Sequence, residues 1–218
     1  MKNFHPLAKS LVTLLYPPKC ALCGKIGVEN LCEPCEKELK SLFQPKKFLA
    51  SGGNGFADNM FTLFPYSQPP VKKLIFDWKR VDYEDLHHIF RKYMEKAVKR
   101  DLLPTPIHKI SYLPRRPFAR SANGFDQAEK IAEELGKVLD IPVEPLLRRR
   151  GYSKAQRKAP FRDREKNVKG KFVATKELHG ETVLLVDDII TTGETAKEGA
   201  RILKKAGAMK VYIFSLAH

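Results

Sequence analysis

The sequence predicts an α/β fold, a mainly parallel open sheet flanked by helices, with a small cysteine-rich module ahead of it. Three observations carry this. Strand-like and helix-like segments alternate from residue 60 to the end, the apolar run 183–186 leads straight into two acids, and all four cysteines lie within sixteen residues. Strands buried on both faces of a parallel sheet read as unbroken apolar runs, and alternation with helices supplies the crossovers that parallel strands need.

At roughly 150 residues per domain, 218 residues suit one domain plus a small module. The glycine-rich SGGNG at 51–55 sets the expected boundary, giving an N-terminal helix and four-cysteine zinc-binding module over 1–50 and the α/β domain over 51–218. The opening LVTLLY reads as a short helix ended by Pro17 and Pro18, since proline cannot continue a helix. It is too short for a secretion signal, and no small-residue cleavage site follows. No stretch approaches the roughly 18 apolar residues of a membrane span. The expectation is a cytoplasmic chain without one.

After Cys35 come a short polar helix and a Pro/Lys stretch. MFTLFPY (60–66) has strand composition, and VKKLIFDWKR (71–80) begins a helix. Leu86, Ile89, Phe90, Tyr93 and Ala97 repeat at helical spacing, as do Ala128, Ile131, Ala132, Leu135 and Leu139. KISYLP (109–114) is a predicted strand and IPVEP (141–145) a short β segment. Strands are then expected at 171–174, 182–186 and 210–216, with a helix over 195–206.

Cys20, Cys23, Cys32 and Cys35 are spaced C-x2-C-x8-C-x2-C. Two residues between cysteines let both thiolates turn onto one ion, and two such pairs complete a tetrahedral Zn²⁺ site. Four thiolates leave no open position for a metal-bound water, so the expected role is structural. The six histidines show no ligand spacing and receive no role.

Forty basic against twenty-five acidic residues leave a net charge of +15, which implies an anionic partner. Eleven basic and two acidic residues fall within 145–171, a net of +9. There Arg148, Arg149, Arg150, Lys154, Arg157, Lys158, Arg162 and Arg164 offer phosphate contacts, with Tyr152 and Phe161 interleaved as stacking surfaces, a composition suited to single-stranded DNA. A solvated face and a cationic cover over a phosphorylated ligand are the competing readings.

The most informative segment is VLLVDDIITTGET (183–195). A buried strand ends at Asp187 and Asp188, and a hydroxyl-rich turn, Ile189, Ile190, Thr191, Thr192, Gly193, Glu194, Thr195, opens a helix. Loop amides, hydroxyls and a helix N-terminus favour a phosphate. The paired carboxylates would repel that phosphate, so they address sugar hydroxyls, directly or through a divalent ion. A phosphate beside a diol describes a ribose 5-phosphate.

All thirteen positions resemble the 5-phosphoribosyl-1-pyrophosphate (PRPP) motif of type I phosphoribosyltransferases. Together with the CxxC pairs, YLPRRPFARSANGFDQAEKIAEELG and S-x-x-Q followed by R-x-x-N-V-x-G-x-F, the chain resembles the ComF family of phosphoribosyltransferase-like competence proteins along nearly its whole length. The resemblance implies a type I phosphoribosyltransferase-like fold, PRPP held with Mg²⁺ by residues 187–195, and pyrophosphate met by Arg115, Arg116 and Arg120. It also implies handling of single-stranded DNA during natural transformation alongside a helicase-like competence protein. Where the family reads R-G-F-N-Q, this chain has Asn123-Gly124-Phe125-Asp126-Gln127. Turnover is left open: the chain ends on the strand after the PRPP helix, without the hood expected over an acceptor base. A salvage phosphoribosyltransferase and a zinc-ribbon DNA-binding regulator with PRPP as effector are the alternatives.

Overall fold

The computed structural model describes residues 17–49, 57–80, 86–115, 126–150 and 170–218. In chain order these form α1 (Glu33–Ser41), β1 (Lys46–Leu49), β2 (Asn59–Phe64), α2 (Pro69–Arg80), α3 (Leu86–Val98) and β3 (Lys109–Tyr112). There follow α4 (Gln127–Leu139), β4 (Leu147–Arg149), β5 (Phe172–Ala174), β6 (Thr182–Ile189), α5 (Glu194–Lys205) and β7 (Lys210–Ala217). The helix expected before Pro17 lies outside the described residues.

Five strands form one sheet in the order β1-β2-β7-β6-β3. The pairs β2–β7, β7–β6 and β6–β3 are parallel, and β1 closes the β2 edge antiparallel, from Lys46 opposite Thr62 to Leu49 opposite Asn59. The Pro/Lys stretch on the N-terminal side of residue 50 therefore contributes an edge strand to the main sheet. IPVEP supplies a single parallel bridge, Val143 to Ile110, beyond β3. β4 and β5 pair antiparallel as a separate two-stranded ribbon.

Strand periodicity divides the core into two layers. Leu184, Val186, Tyr212, Phe214 and Leu216 face α2, α3 and α4, while Val183, Leu185, Val211 and Ile213 face α5 and the ribbon. Burial on both faces explains why β6 and β7 lack polar alternation. Each fully buried aliphatic or aromatic side chain contributes roughly 1.5–3 kcal/mol. Trp78 is buried against Phe90, with ring centroids 5.5 Å apart, so it is core and no stacking platform. Gly199 lets α5 lie close to the sheet: a Cβ there would come within 2.7 Å of Leu113 and 3.0 Å of Leu185. Among the described residues no helix is long and apolar enough to cross a membrane.

Candidate functional site

The cysteine module is built by backbone turns. Gly24 N donates to Cys20 O at 2.9 Å, Cys20 N to Lys25 O at 2.9 Å, and Ala21 N to Asn30 O at 2.8 Å. Gly24 itself has φ +77°, the left-handed conformation that glycine adopts without strain. Cys35 rides on α1, whose first turn brings it back to Cys32. The four sulfurs lie within 4.8 Å of one another, and those of Cys23 and Cys32 are 3.5 Å apart. That spacing suits tetrahedral Zn–S bonds of about 2.3 Å. Burial opposes ionisation of Cys20, yet the N–H groups of Cys23, Cys32 and Leu22 bring its thiol down to about 6. At Cys35, burial and the neighbouring sulfurs push the thiol up. The donor set fits structural zinc, which leaves no position for chemistry.

On the sheet, β6 extends three residues past the predicted Val186, because Asp187 and Ile189 still pair with Ser215 and Ala217 of β7. Asp187 and Asp188 are half-buried at its C-terminal end. Ile190 is buried, its N–H bonded to Ala217 O at 3.0 Å, and it fixes the turn that follows. Thr191 and Thr192 are exposed, and Gly193 enters α5 with φ +76°, with no side chain capping the helix. Gly193 thus offers the first amides of α5 no capping side chain. Glu194 is exposed and Thr195 half-buried beside them.

The loop after β3 meets these acids. Arg115 Nη2 donates to Asp188 Oδ2 at 3.0 Å, and its backbone N donates to Asp126 Oδ2 at 2.9 Å. Asp126, 2% exposed, also caps α4 by accepting from Ala128 N at 3.1 Å. Burial raises its pKa, against the pull of Arg115 and the Ala128 amide. The acid that departs from the family pattern is therefore the post to which the arginine loop is tied. Its N-cap position ahead of an apolar-periodic run was a readable signal for that role. Arg116 and Arg120 lie outside the described residues.

Of the expected DNA-contacting groups, Arg148 and Arg150 are exposed on the ribbon. Arg149 is engaged within the fold, donating from Nε to Pro114 O at 2.7 Å with its guanidinium 5.1 Å from the Phe172 ring centroid. Arg150 N bonds Lys171 O at 2.9 Å, so both ends of the intervening basic segment are anchored side by side. Tyr152, Lys154, Arg157, Lys158, Phe161, Arg162 and Arg164 lie outside the described residues. A cleft of about 560 Å³ between β3 and the ribbon is lined by Arg115, Arg148, Arg149 and Lys176 among others. The geometry thus joins Arg115, Asp126 and Asp188 and places the ribbon cations alongside.

The phosphoribosyl transferase domain family matches residues 122–218, and the double zinc ribbon domain family matches 11–46. Competence protein F of Haemophilus influenzae is 31% identical over 88% of this chain and 92% of its own length. The chain belongs to the ComF family. Competence protein ComFC of Streptococcus pneumoniae is 28% identical over 88% of the chain and 82% of its own. DNA utilization protein YhgH of Escherichia coli is 30% identical over 52% and 49% respectively. Among solved structures, the glutamine PRPP amidotransferase from B. subtilis aligns at 22% identity with a TM-score of 0.42, covering 60% of this chain and 26% of that one. The parallel sheet, its helices and the N-terminal four-cysteine module make this ComF-family chain type I phosphoribosyltransferase-like, as the sequence predicts.

Proposed function

We propose that this ComF-family protein acts in DNA uptake, binding PRPP with Mg²⁺ at the end of β6 and single-stranded DNA on the basic ribbon, in the cytoplasm alongside a helicase-like partner. The observation carrying the first half is the juxtaposition of two half-buried acids, an uncapped α5 N-terminus behind a threonine turn, and Arg115 reaching in from the loop after β3. The chain's residues divide the ligand by charge. Threonine hydroxyls and α5 amides receive the 5-phosphate, Asp187 and Asp188 accept the ribose hydroxyl protons or hold the metal, and Arg115, with Arg116 and Arg120, meets the pyrophosphate. Bound Mg²⁺ would neutralise pyrophosphate charge beside the two acids. The second half is supported by the exposed Arg148 and Arg150, the net +9 of residues 145–171, and relatives named for competence and DNA utilization.

Calorimetry on the zinc-loaded protein tests the site. Asp187→Asn with Asp188→Asn should abolish PRPP·Mg²⁺ binding in a protein that circular dichroism shows still folded, and unchanged affinity would remove the assignment. Oligo-dT titrated across a salt series should give a log–log slope of about −4 if six phosphates are neutralised. Arg148→Glu with Arg150→Glu should flatten it. Base-dependent pyrophosphate release would instead favour a salvage enzyme, and tighter binding to one duplex sequence a regulator.

A further inference from the structure

We propose that the seam between α1 and α3 is a docking surface for a protein partner, and that it takes an acidic, amphipathic segment of that partner. Lys92 of α3 bonds Glu36 of α1 across this seam, so the two helices present one surface. Lys92 and Lys96 lie four residues apart, about 6 Å along α3, and Arg100 follows in the turn that closes the helix. Lys40 of α1 joins them, and Lys40, Lys92 and Arg100 are exposed.

Glu36 does not balance this charge. Burial lowers the pKa of Lys96, the like charges of Lys92, Lys40 and Arg100 lower it further, and Glu36 offsets only part of that. Two of the cations are also held in place. Lys96 Nζ sits 5.0 Å from the ring centroid of Tyr93, and the Arg100 guanidinium 5.3 Å from that of Phe43. A row of like charges fixed in this way repels itself, and it gains when carboxylates are brought opposite. Acids four residues apart on a partner helix match its spacing.

Two features favour a polypeptide over a nucleic acid. Tyr93 is 2% exposed, and Phe43 packs against Phe64 and Tyr93 with Arg100 over its ring, so neither offers an open face on which bases stack. The neighbours of the cations in sequence, Leu42, Phe43 and Val98, are only partly buried against the core. A phosphate backbone has nothing to lay on that apolar fringe, whereas a peptide has side chains that cover it. The seam also lies across the sheet from the ribbon, since α3 packs on the face of Leu184 and Val186 and the ribbon on that of Val183 and Leu185. A strand lying on the ribbon therefore leaves the seam open to a second partner.

The test uses fluorescence anisotropy with a labelled synthetic peptide that carries glutamates four residues apart and leucines on the adjoining face. It is titrated with zinc-loaded protein at physiological salt, and the wild type should bind it. Lys92→Gln with Lys96→Gln and Arg100→Gln should weaken the peptide at least about tenfold while oligo-dT affinity moves by less than about twofold. Lys92→Arg with Lys96→Arg, which keeps the charge, should retain binding. Because Lys92 also ties α1 to α3, melting curves check the fold, and Lys96→Gln with Arg100→Gln repeats the test with that tie intact. A wild type that ignores the peptide, or variants that bind it unchanged, would overturn the proposal. So would oligo-dT affinity falling as far as that of the peptide, which would assign the seam to nucleic acid. Equal binding of a peptide with serine in place of leucine would leave charge attraction alone and overturn it too. Each of these results leaves the PRPP site and the DNA-binding ribbon standing, since their ligands are titrated separately.

Discussion

In the cysteine module the buried cluster is Cys20, Cys32 and Cys35 edged by Leu22, Val28 and Leu31, whereas the sheet buries continuous runs such as Val183–Val186 and Val211–Ala217 between layers of helix. The first has too few apolar side chains to order itself, and four sulfurs supply what is missing. The second needs no ligand to fold, which leaves its loops at the strand ends free for chemistry. Order from a metal and order from packing thus coexist in one chain, joined where Leu39 of α1, fully buried, enters the same core as Phe64 and Tyr93.

The largest effect should come from removing the metal. Structural zinc in such modules contributes about 10–16 kcal/mol of apparent binding energy at neutral pH. Chelation, or Cys32→Ser, should release zinc and abolish amide-exchange protection across 20–35, while β6 and β7 stay protected. If exchange in β6 and β7 rises equally, the two routes to order are not separate.

The join is the next target. Leu39→Ala should cost about 2–5 kcal/mol of global stability by opening a cavity, with one zinc per chain retained. Loss of zinc without a shift in the main unfolding transition would show that α1 belongs energetically to the module alone.

The smallest effect tests whether surface ions matter to either region. Glu144 lies between Lys109 of the sheet, at 2.6 Å, and Lys176 just beyond β5. Hydrogen bonds from these lysines lower its pKa, so its contribution exists above its ordinary value of 4.5 and fades as pH falls through the folded one. Glu144→Gln should lose no more than about 1 kcal/mol at pH 7. The gap in melting temperature from wild type should narrow as pH falls below 4.5, and a gap that stays constant with pH would assign the loss to packing.

Periodicity made the long elements readable, and chemistry made the motifs readable. The helical repeats at 86–97 and 128–139, the apolar strand before Asp187 and the paired CxxC needed only local information. The features that local pattern misses depend on partners distant in sequence. PKKFL reads only as a Pro/Lys stretch, and becomes β1 through antiparallel pairing with β2. Leu147–Arg149 reads as the start of a basic tract, and becomes β4 through pairing with Phe172–Ala174. Arg149 shows the same limit at the level of a side chain: among adjacent arginines, only the fold reveals which one holds Pro114 O and Phe172 instead of facing outward. For Asp126, comparison with a family pattern flagged a loss of amide chemistry, while the three-dimensional arrangement shows a carboxylate employed as a tether.

The short strand β1 has one more implication. Among the described residues β1 is the outer strand of its sheet, a border of the kind that invites a second molecule to add itself on, and the side chains at Lys46 and Lys47 stand exposed along it. Two like charges on successive residues would have to be brought against their copies for such growth to begin. The lysine pair therefore disfavours growth of the sheet at this border.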